Sequence, residues 1–267
     1  WPVILSYGPY AKGLHFEDGY PSAWARMIAE HPDVAAGSSN RHQSWEVVDP
    51  EKWVPDGYAC VRVDSRGAGR SPGRIDPFSP RETRDFCLCV EWAGTQPWSS
   101  GKVGLNGISY YGINQWHVAS LEPPHLEAMC VWEGAADWYR DMTHHGGILS
   151  TFWRNWFDMQ VKTVQYGCGE RGKRSRITGQ LVCGDALLSD AELAANRCDL
   201  GGDIACHPLD DEYHRTRSPQ WERITVPLLS LVEQIAILRE RIQSAAIDVS
   251  WVPALQKDSR ARNTHAS

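Results

Sequence analysis

The sequence predicts an α/β fold built on a parallel sheet, and three observations carry that prediction. Four short apolar runs, PVILS at 2–6, GYACVRVD at 57–64, VGLN at 103–106 and AMCVW at 128–132, have the length and composition of buried strands. Helical apolar spacing separates the later runs, and strand–helix–strand alternation produces a parallel sheet with helices on its faces. At 107–112 a strand turns through a corner bracketed by Gly107 and Gly112 directly into a helix. Ligand sites in such sheets lie beyond the carboxyl ends of the strands, and Tyr10, Arg66, Ser109 and Glu133 all fall there.

Composition narrows the function classes. With 267 residues, 42% apolar and 22% charged, the chain can bury a sizeable core and is not a disordered sequence. A net charge of −6 with no basic stripe argues against a nucleic-acid surface. No stretch approaches the roughly 18 apolar residues of a membrane span. The eight cysteines are scattered through a chain too long to need stapling, and Cys87-x-Cys89 lacks metal-ligand spacing. Buried free thiols are expected, and with them a reducing, cytoplasmic compartment. The chain opens on Trp1 and runs at once into a strand, so it is expected to begin inside a longer reading frame.

The first strand, 2–6, ends in the turn Y-G-P-Y-A-K-G, which carries Tyr10 and Lys12. Residues 13–56 mix short helical patterns, among them 23–30, with polar loops and a G-S-S-N turn at 37–40, and read as surface elaboration. The strand at 57–64 runs into D-S-R-G-A-G-R-S-P-G. Its glycines miss the G-x-G-x-x-G spacing of a dinucleotide cradle and no ribose acid follows in register, so the loop reads as scaffold whose glycines permit positive φ. Ser79 caps the next helix, Pro80 occupies its first turn and Glu82 lies three residues past the cap. Phe86, Val90 and Trp92, with Cys87 and Cys89, supply that helix's buried face.

The strand at 103–106 and the helix at 110–120 then flank Ser109. A serine at such a corner has its hydroxyl clear of the backbone, with the next N–H aimed at whatever that hydroxyl attacks; the alternative is a serine that merely fills a tight turn. After the strand at 128–132 the strand signals stop. Apolar residues recur at helical spacing at Trp138, Met142, Ile148, Phe152, Trp156 and Met159, then across 186–195. Adjacent His144 and His145 point apart on a helix, and no further ligand completes a metal set, so they read as structural. The stretches 170–176 (ERGKRSR) and 210–212 (DDE) read as solvated charge. TVPLLSL at 225–231 reads as a returning strand.

The general lipase pattern G-x-S-x-G fails here, because Tyr111 stands two residues after the serine and Gly112 comes one step later. G-I-S-Y-Y-G, preceded by Q-P-W-S-S-G-K-V-G, instead resembles the CocE/NonD hydrolases. These are the cocaine-esterase and X-Pro dipeptidyl-peptidase-like serine hydrolases, whose motif is G-x-S-Y-x-G. The resemblance extends to P-Y-x-K at Tyr10 and Lys12, to D-x-R-G-x-G-x-S, and to S-P-x-W at 218–221, and it covers 1–231.

The resemblance implies an α/β-hydrolase fold with an inserted helical cap: a first core part at 1–136, the cap at 137–222, and a returning core strand with a divergent tail at 223–267. It implies Ser109 as nucleophile, with the Tyr110 N–H and the Tyr10 hydroxyl as oxyanion hole; a phenol donor of this kind is worth about 3 kcal/mol of barrier. On another reading Tyr10 is a packed loop aromatic. Trp138, Trp153, Trp156 and Phe157 are either acyl-pocket lining or core. No metal or organic cofactor is implied. The expected partner is a small-molecule ester, amide or peptide substrate, with no nucleic acid and no membrane; the oligomeric state is left open.

Residues 232–267 match neither the acid nor the histidine context of the family, and no length remains for its C-terminal jelly-roll domain. The fold is therefore expected to be incomplete at both ends. A shifted frame, a mis-spliced exon or a truncated gene would produce such a tail, which sequencing the transcript across residue 231 would test. The chain order serine, acid, histidine offers Glu233 and His265, with Asp137 as a second acid candidate, against the alternative of an unordered tail that supplies neither. The rival from another class is a hydrolase fold without the acid and histidine that persists as a binding protein. A nucleotide-binding protein using the glycine loop at 67–73 is the weakest reading.

Overall fold

Strand β1 (Val3–Gly8) is buried at all six positions, as a central strand must be. In this computed structural model, which describes residues 1–226, β1 lies between β2 (Ala59–Asp64) and β3 (Val103–Ile108), with β4 (Leu126–Trp132) outside β3. All three pairings are parallel, in the order β2-β1-β3-β4. The chain steps from β1 to β2 on one side, then crosses back over β1 to reach β3 on the other. In open parallel sheets ligands bind beyond the strand carboxyl ends at such a reversal, here the ends of β1 and β3.

Between β1 and β2 lie four short helices, α1 (Phe16–Gly19), α2 (Pro21–Glu30), α3 (Pro32–Ala36) and α4 (Pro50–Trp53). The crossover helix is α5 (Pro80–Gly94), and α6 (Tyr110–Ala119) joins β3 to β4. Val3, Leu5, Val103 and Leu105 of the sheet bury against Phe86, Val90 and Ala93 of α5 and Val118 and Ala119 of α6. Burying one such side chain contributes about 1.5–3 kcal/mol.

Ser79 caps α5 as expected, its hydroxyl accepting from the Glu82 N–H at 3.2 Å. Trp92 corrects the expected buried face: the helix buries Phe86, Val90, Ala93 and Gly94, a stripe at spacings of four and three, and Trp92 lies off it, 54% exposed.

The loop after β2 is scaffold. The buried Asp64 carboxylate accepts from the backbone N–H groups of Lys12 (2.5 Å) and Arg70 (2.9 Å) and pairs with the Lys12 ammonium at 3.7 Å. Gly69 permits this wrap: its φ is +53°, and a Cβ there would stand 2.4 Å from the Asp64 carboxylate. Arg66 grips Asp85 of α5 through two hydrogen bonds of 2.6 and 2.7 Å.

After β4 the chain is a succession of short pieces. A π-helical turn at Trp138–Thr143 precedes a small hairpin, β5 (His144–His145) with β6 (Ile148–Leu149). Helices α7 (Phe152–Trp156), α8 (Asp190–Ala195), α9 (Leu200–Cys206) and α10 (Glu212–Arg215) follow. The hairpin corrects the expectation that strands end with β4, and Gly146 and Gly147, both at positive φ, supply its turn. His144 and His145 therefore sit on a strand rather than a helix, and there too they point apart, one buried and one exposed. The helical pattern read across 186–195 is helical only over α8, which begins with a capping box of Ser189 and Glu192.

Ser218 of the S-P-x-W segment accepts from the Trp138 N–H (2.9 Å) and donates to the His214 carbonyl (3.0 Å). Ile224 and Val226 pack against the sheet core. The expected strand at 225–231 lies, from residue 227 on, outside the described residues, as do Glu233 and His265. All eight cysteines are free thiols. Among the described residues no helix is long and apolar enough to cross a membrane, and no three His, Cys, Asp or Glu side chains converge as a metal site.

Candidate active site

Ser109 follows β3 by one residue and Tyr10 follows β1 by two, and these strands are neighbours in the sheet. The two side chains thus start from adjacent strand ends, about 5 Å apart in the pairing direction. Ser109 has φ +56° and ψ −117°, a conformation costly for a non-glycine residue. Its own N–H is held by the Trp132 carbonyl at 3.0 Å, and its carbonyl accepts from Gly112 (2.9 Å) and Ile113 (2.7 Å), which starts α6.

The Tyr110 N–H, at the first position of α6, has no acceptor within the helix. The corner exists because two side chains are missing. A Cβ on Gly107 would come within 2.2 Å of the Tyr111 Cβ, and one on Gly112 within 2.6 Å of the Trp132 carbonyl oxygen. Helix α6 can approach β3 and β4 this closely only with glycine at both places.

The structure brings the Tyr10 and Tyr110 rings together, and Ser109 adjoins Tyr110 in the chain. The Tyr10 ring meets Tyr110 edge-on at 6.0 Å and Tyr111 at 5.5 Å between centroids. Its hydroxyl accepts a 3.0 Å hydrogen bond from the Trp156 indole N–H, and no acceptor takes its own hydrogen among the described residues. Burial pushes the Tyr10 phenol well above its ordinary pKa, so it stays a neutral donor across the physiological range.

Trp138, Trp153, Trp156 and Phe157 are all buried in one cluster with Tyr10, Phe78, Tyr110 and Tyr111. They stand as core, and Trp156 meets the proposed site residues through a hydrogen bond to Tyr10 and a stacked contact with Tyr110 at 5.7 Å.

Asp137 corks the π-helical turn, accepting from the Arg140 N–H and guanidinium at 2.7 Å each, so its carboxylate is already engaged. Arg66 is likewise engaged with Asp85. Glu133, directly after β4, is exposed and has φ +51°.

Two site carboxylates escaped the sequence reading. The Glu46 main-chain carbonyl accepts from the Ile108 N–H (3.2 Å), just before the nucleophile position, and its Oε2 is sealed from water without a partner. Burial, aided by the charge of Glu133, raises its carboxyl to about 8. Nothing in a polar loop marks this residue in advance. Glu82, read only as part of a helix start, accepts through one oxygen from both the Phe78 N–H and the Tyr110 hydroxyl, each at 2.6 Å. Its carboxyl is raised to about 7 by burial, against the pull of those two donors.

Residues 1–232 match the model of the X-Pro dipeptidyl-peptidase family (S15). Cocaine esterase from Rhodococcus sp. (strain MB1 Bresler) is 37% identical over 100 residues, which is 37% of this chain and 17% of that protein. A CocE/NonD family hydrolase from Staphylococcus aureus superposes with a TM-score of 0.62 at 32% identity, covering 85% of this chain and 34% of that one. An aminopeptidase from a marine sediment Thaumarchaeota archaeon, with a TM-score of 0.53 at 16% identity over 85% of this chain and 37% of its own, shares the fold. The matches thus span about a third or less of these relatives' lengths.

Proposed function

The chain belongs to the X-Pro dipeptidyl-peptidase (S15) family and is a CocE/NonD-like hydrolase, and from that premise we propose that it cleaves an acyl ester or amide bond through an acyl-enzyme on Ser109. The observation that carries this reading is the left-handed corner at Ser109, with Tyr10 following the end of the neighbouring strand.

In the proposed reaction the Ser109 Oγ attacks the substrate carbonyl, and the developing oxyanion accepts hydrogen bonds from the Tyr110 N–H and the Tyr10 hydroxyl. Trp156 occupies a lone pair of Tyr10 and leaves the phenolic hydrogen for the oxyanion. Collapse expels the alcohol or amine, and water then releases the acid.

A serine hydroxyl needs a proton acceptor, and losing it in such enzymes costs on the order of 10⁶ in kcat. By chain order Glu233 and His265 are this chain's candidates for acid and base; the engagement of Asp137 with Arg140 argues against its serving as the acid. In this reading residues 137–222 form the cap over the pocket, inserted after the core part at 1–136. The family description supports X-Pro dipeptide release and the similarity to cocaine esterase supports ester cleavage.

A nitrophenyl ester tests the reading. The protein should release nitrophenol in a burst matching the enzyme concentration, Ser109→Ala should abolish the burst without loss of the folded circular dichroism spectrum, and X-Pro nitroanilides compared with esters should rank the substrates. A burst that survives Ser109→Ala rejects the mechanism, and a folded protein with no turnover favours a binding protein.

A further inference from the structure

Helix α5 lies outside the corner at Ser109, yet its first turn reaches into the site. The Glu82 carboxylate turns inward, and its Oε2 takes two hydrogen bonds of 2.6 Å, from the Phe78 N–H and from the Tyr110 hydroxyl. Tyr110 is the residue whose main-chain N–H stands at the first position of α6. Its ring is fixed on every side: tilted on Phe78 at 4.3 Å, stacked on Trp156 at 5.7 Å, and edge-on to Tyr10 at 6.0 Å. Trp156 in turn donates to the Tyr10 hydroxyl at 3.0 Å. One chain of contacts therefore runs from Glu82 through Tyr110 and Trp156 to Tyr10, and so joins both oxyanion donors to a single carboxylate.

That carboxylate is itself fixed. Ser79 caps the first turn of α5 through the Glu82 N–H, and Arg66 clamps Asp85 one residue from the next turn. The peptide after a serine at φ +56° carries an N–H with no acceptor in the helix, and its plane is anchored on one side by the Ser109 carbonyl, which accepts from the Gly112 and Ile113 N–H groups. Its other end is set by the position of the Tyr110 Cα, and the far end of the Tyr110 ring is pinned by Glu82. We propose that Glu82 is a positioning residue for the oxyanion hole, holding Tyr110 by its phenol so that the main-chain N–H keeps its aim at the reacting carbonyl oxygen. The inference rests on the reading of Ser109 as nucleophile.

Misplacing a donor by a fraction of an ångström weakens transition-state binding more than substrate binding. Glu82→Ala should lower kcat on an activated ester about tenfold, less than the roughly 10²–10³ of deleting a donor outright, with KM within about twofold. The affinity for an alkylboronic acid, which forms a tetrahedral adduct on a serine, should fall by the same factor. Glu82→Gln keeps an oxygen that can accept both hydrogen bonds and should recover most of the rate. Tyr110→Phe removes only the donor to Glu82 and should reproduce the Glu82→Ala loss, and the double variant should be no slower than either single one.

Fluorophosphonate labelling of Ser109 in the wild-type protein separates the two levels. With labelling present, a Glu82→Ala or Tyr110→Phe protein that melts earlier but keeps its kcat and boronate affinity overturns the inference and leaves the hydrolase reading standing. Absence of labelling in the folded wild-type protein overturns both.

Discussion

The Tyr10 hydroxyl accepts one hydrogen bond from Trp156 and has one hydrogen left to give. Tyr10→Phe should therefore lower kcat by about 10²-fold with little change in KM, the cost of one oxyanion donor. It should also lower stability by about 1 kcal/mol, because the Trp156 N–H loses its acceptor. Steady-state kinetics and a denaturant titration of the same variant check both parts.

Glu46 makes a separate prediction about pH. Its folded carboxyl titrates at about 8 against an ordinary 4.5, so the folded state holds this proton more tightly than the unfolded chain does. The stabilisation is fully present below 4.5 and is lost as pH rises through about 8, at a slope of at most about 1.4 kcal/mol per pH unit for one proton. Unfolding titrations from pH 5 to pH 9 should show a decline that Glu46→Gln flattens; an unchanged slope in that variant contradicts the assignment.

At this scale the sequence offers a proposal where a motif names a residue, as at Ser109, Tyr10 and Tyr110. Glu46 and Glu82 were hidden, because their roles come from what the fold places beside them: a sealed oxygen near Glu133 in one case, a distant phenol in the other.

Among the elements, the join of β3 and α6 is the one that cannot be varied. Gly112→Ala would drive a methyl against the Trp132 carbonyl, whose own bond to the Ser109 N–H holds the corner, so it should destabilise by about 1–3 kcal/mol or more and remove activity. Gly104→Ala, in β3, meets nothing nearer than 3.6 Å and should be tolerated. Thermal melts and ester turnover of the pair test whether close approach, rather than glycine content, matters.

Strands and the helices between them were legible from apolar runs and caps, since β1, β3, β4, α5 and α6 each repeat a local pattern that burial reinforces, whereas β2, read as a buried strand, is half-buried at every position but Asp64 because it ends the strand order among the described residues. The region after β4 was not. Its aromatic residues recur at helical spacing, but they converge on one cluster from a π-helical turn and from α7, and a two-residue ladder at β5 and β6 leaves no periodic trace. Trp92 misled for a related reason: large and apolar, it lies one step off the stripe that α5 buries.

For the molecule as a whole, the decisive feature is the reversal of strand order at β1. In an open parallel sheet ligands bind at the strand ends where the order reverses, here those of β1 and β3, and the two residues that the motifs single out, Tyr10 and Ser109, follow those two strands. The central claim is that Ser109 is the nucleophile at this end of the sheet. The most direct measurement is peptide mass spectrometry of the protein after reaction with a fluorophosphonate: the account predicts a single phosphonyl adduct on Ser109, absent from Ser109→Ala, whereas an adduct on another residue, or none on a folded protein, contradicts it.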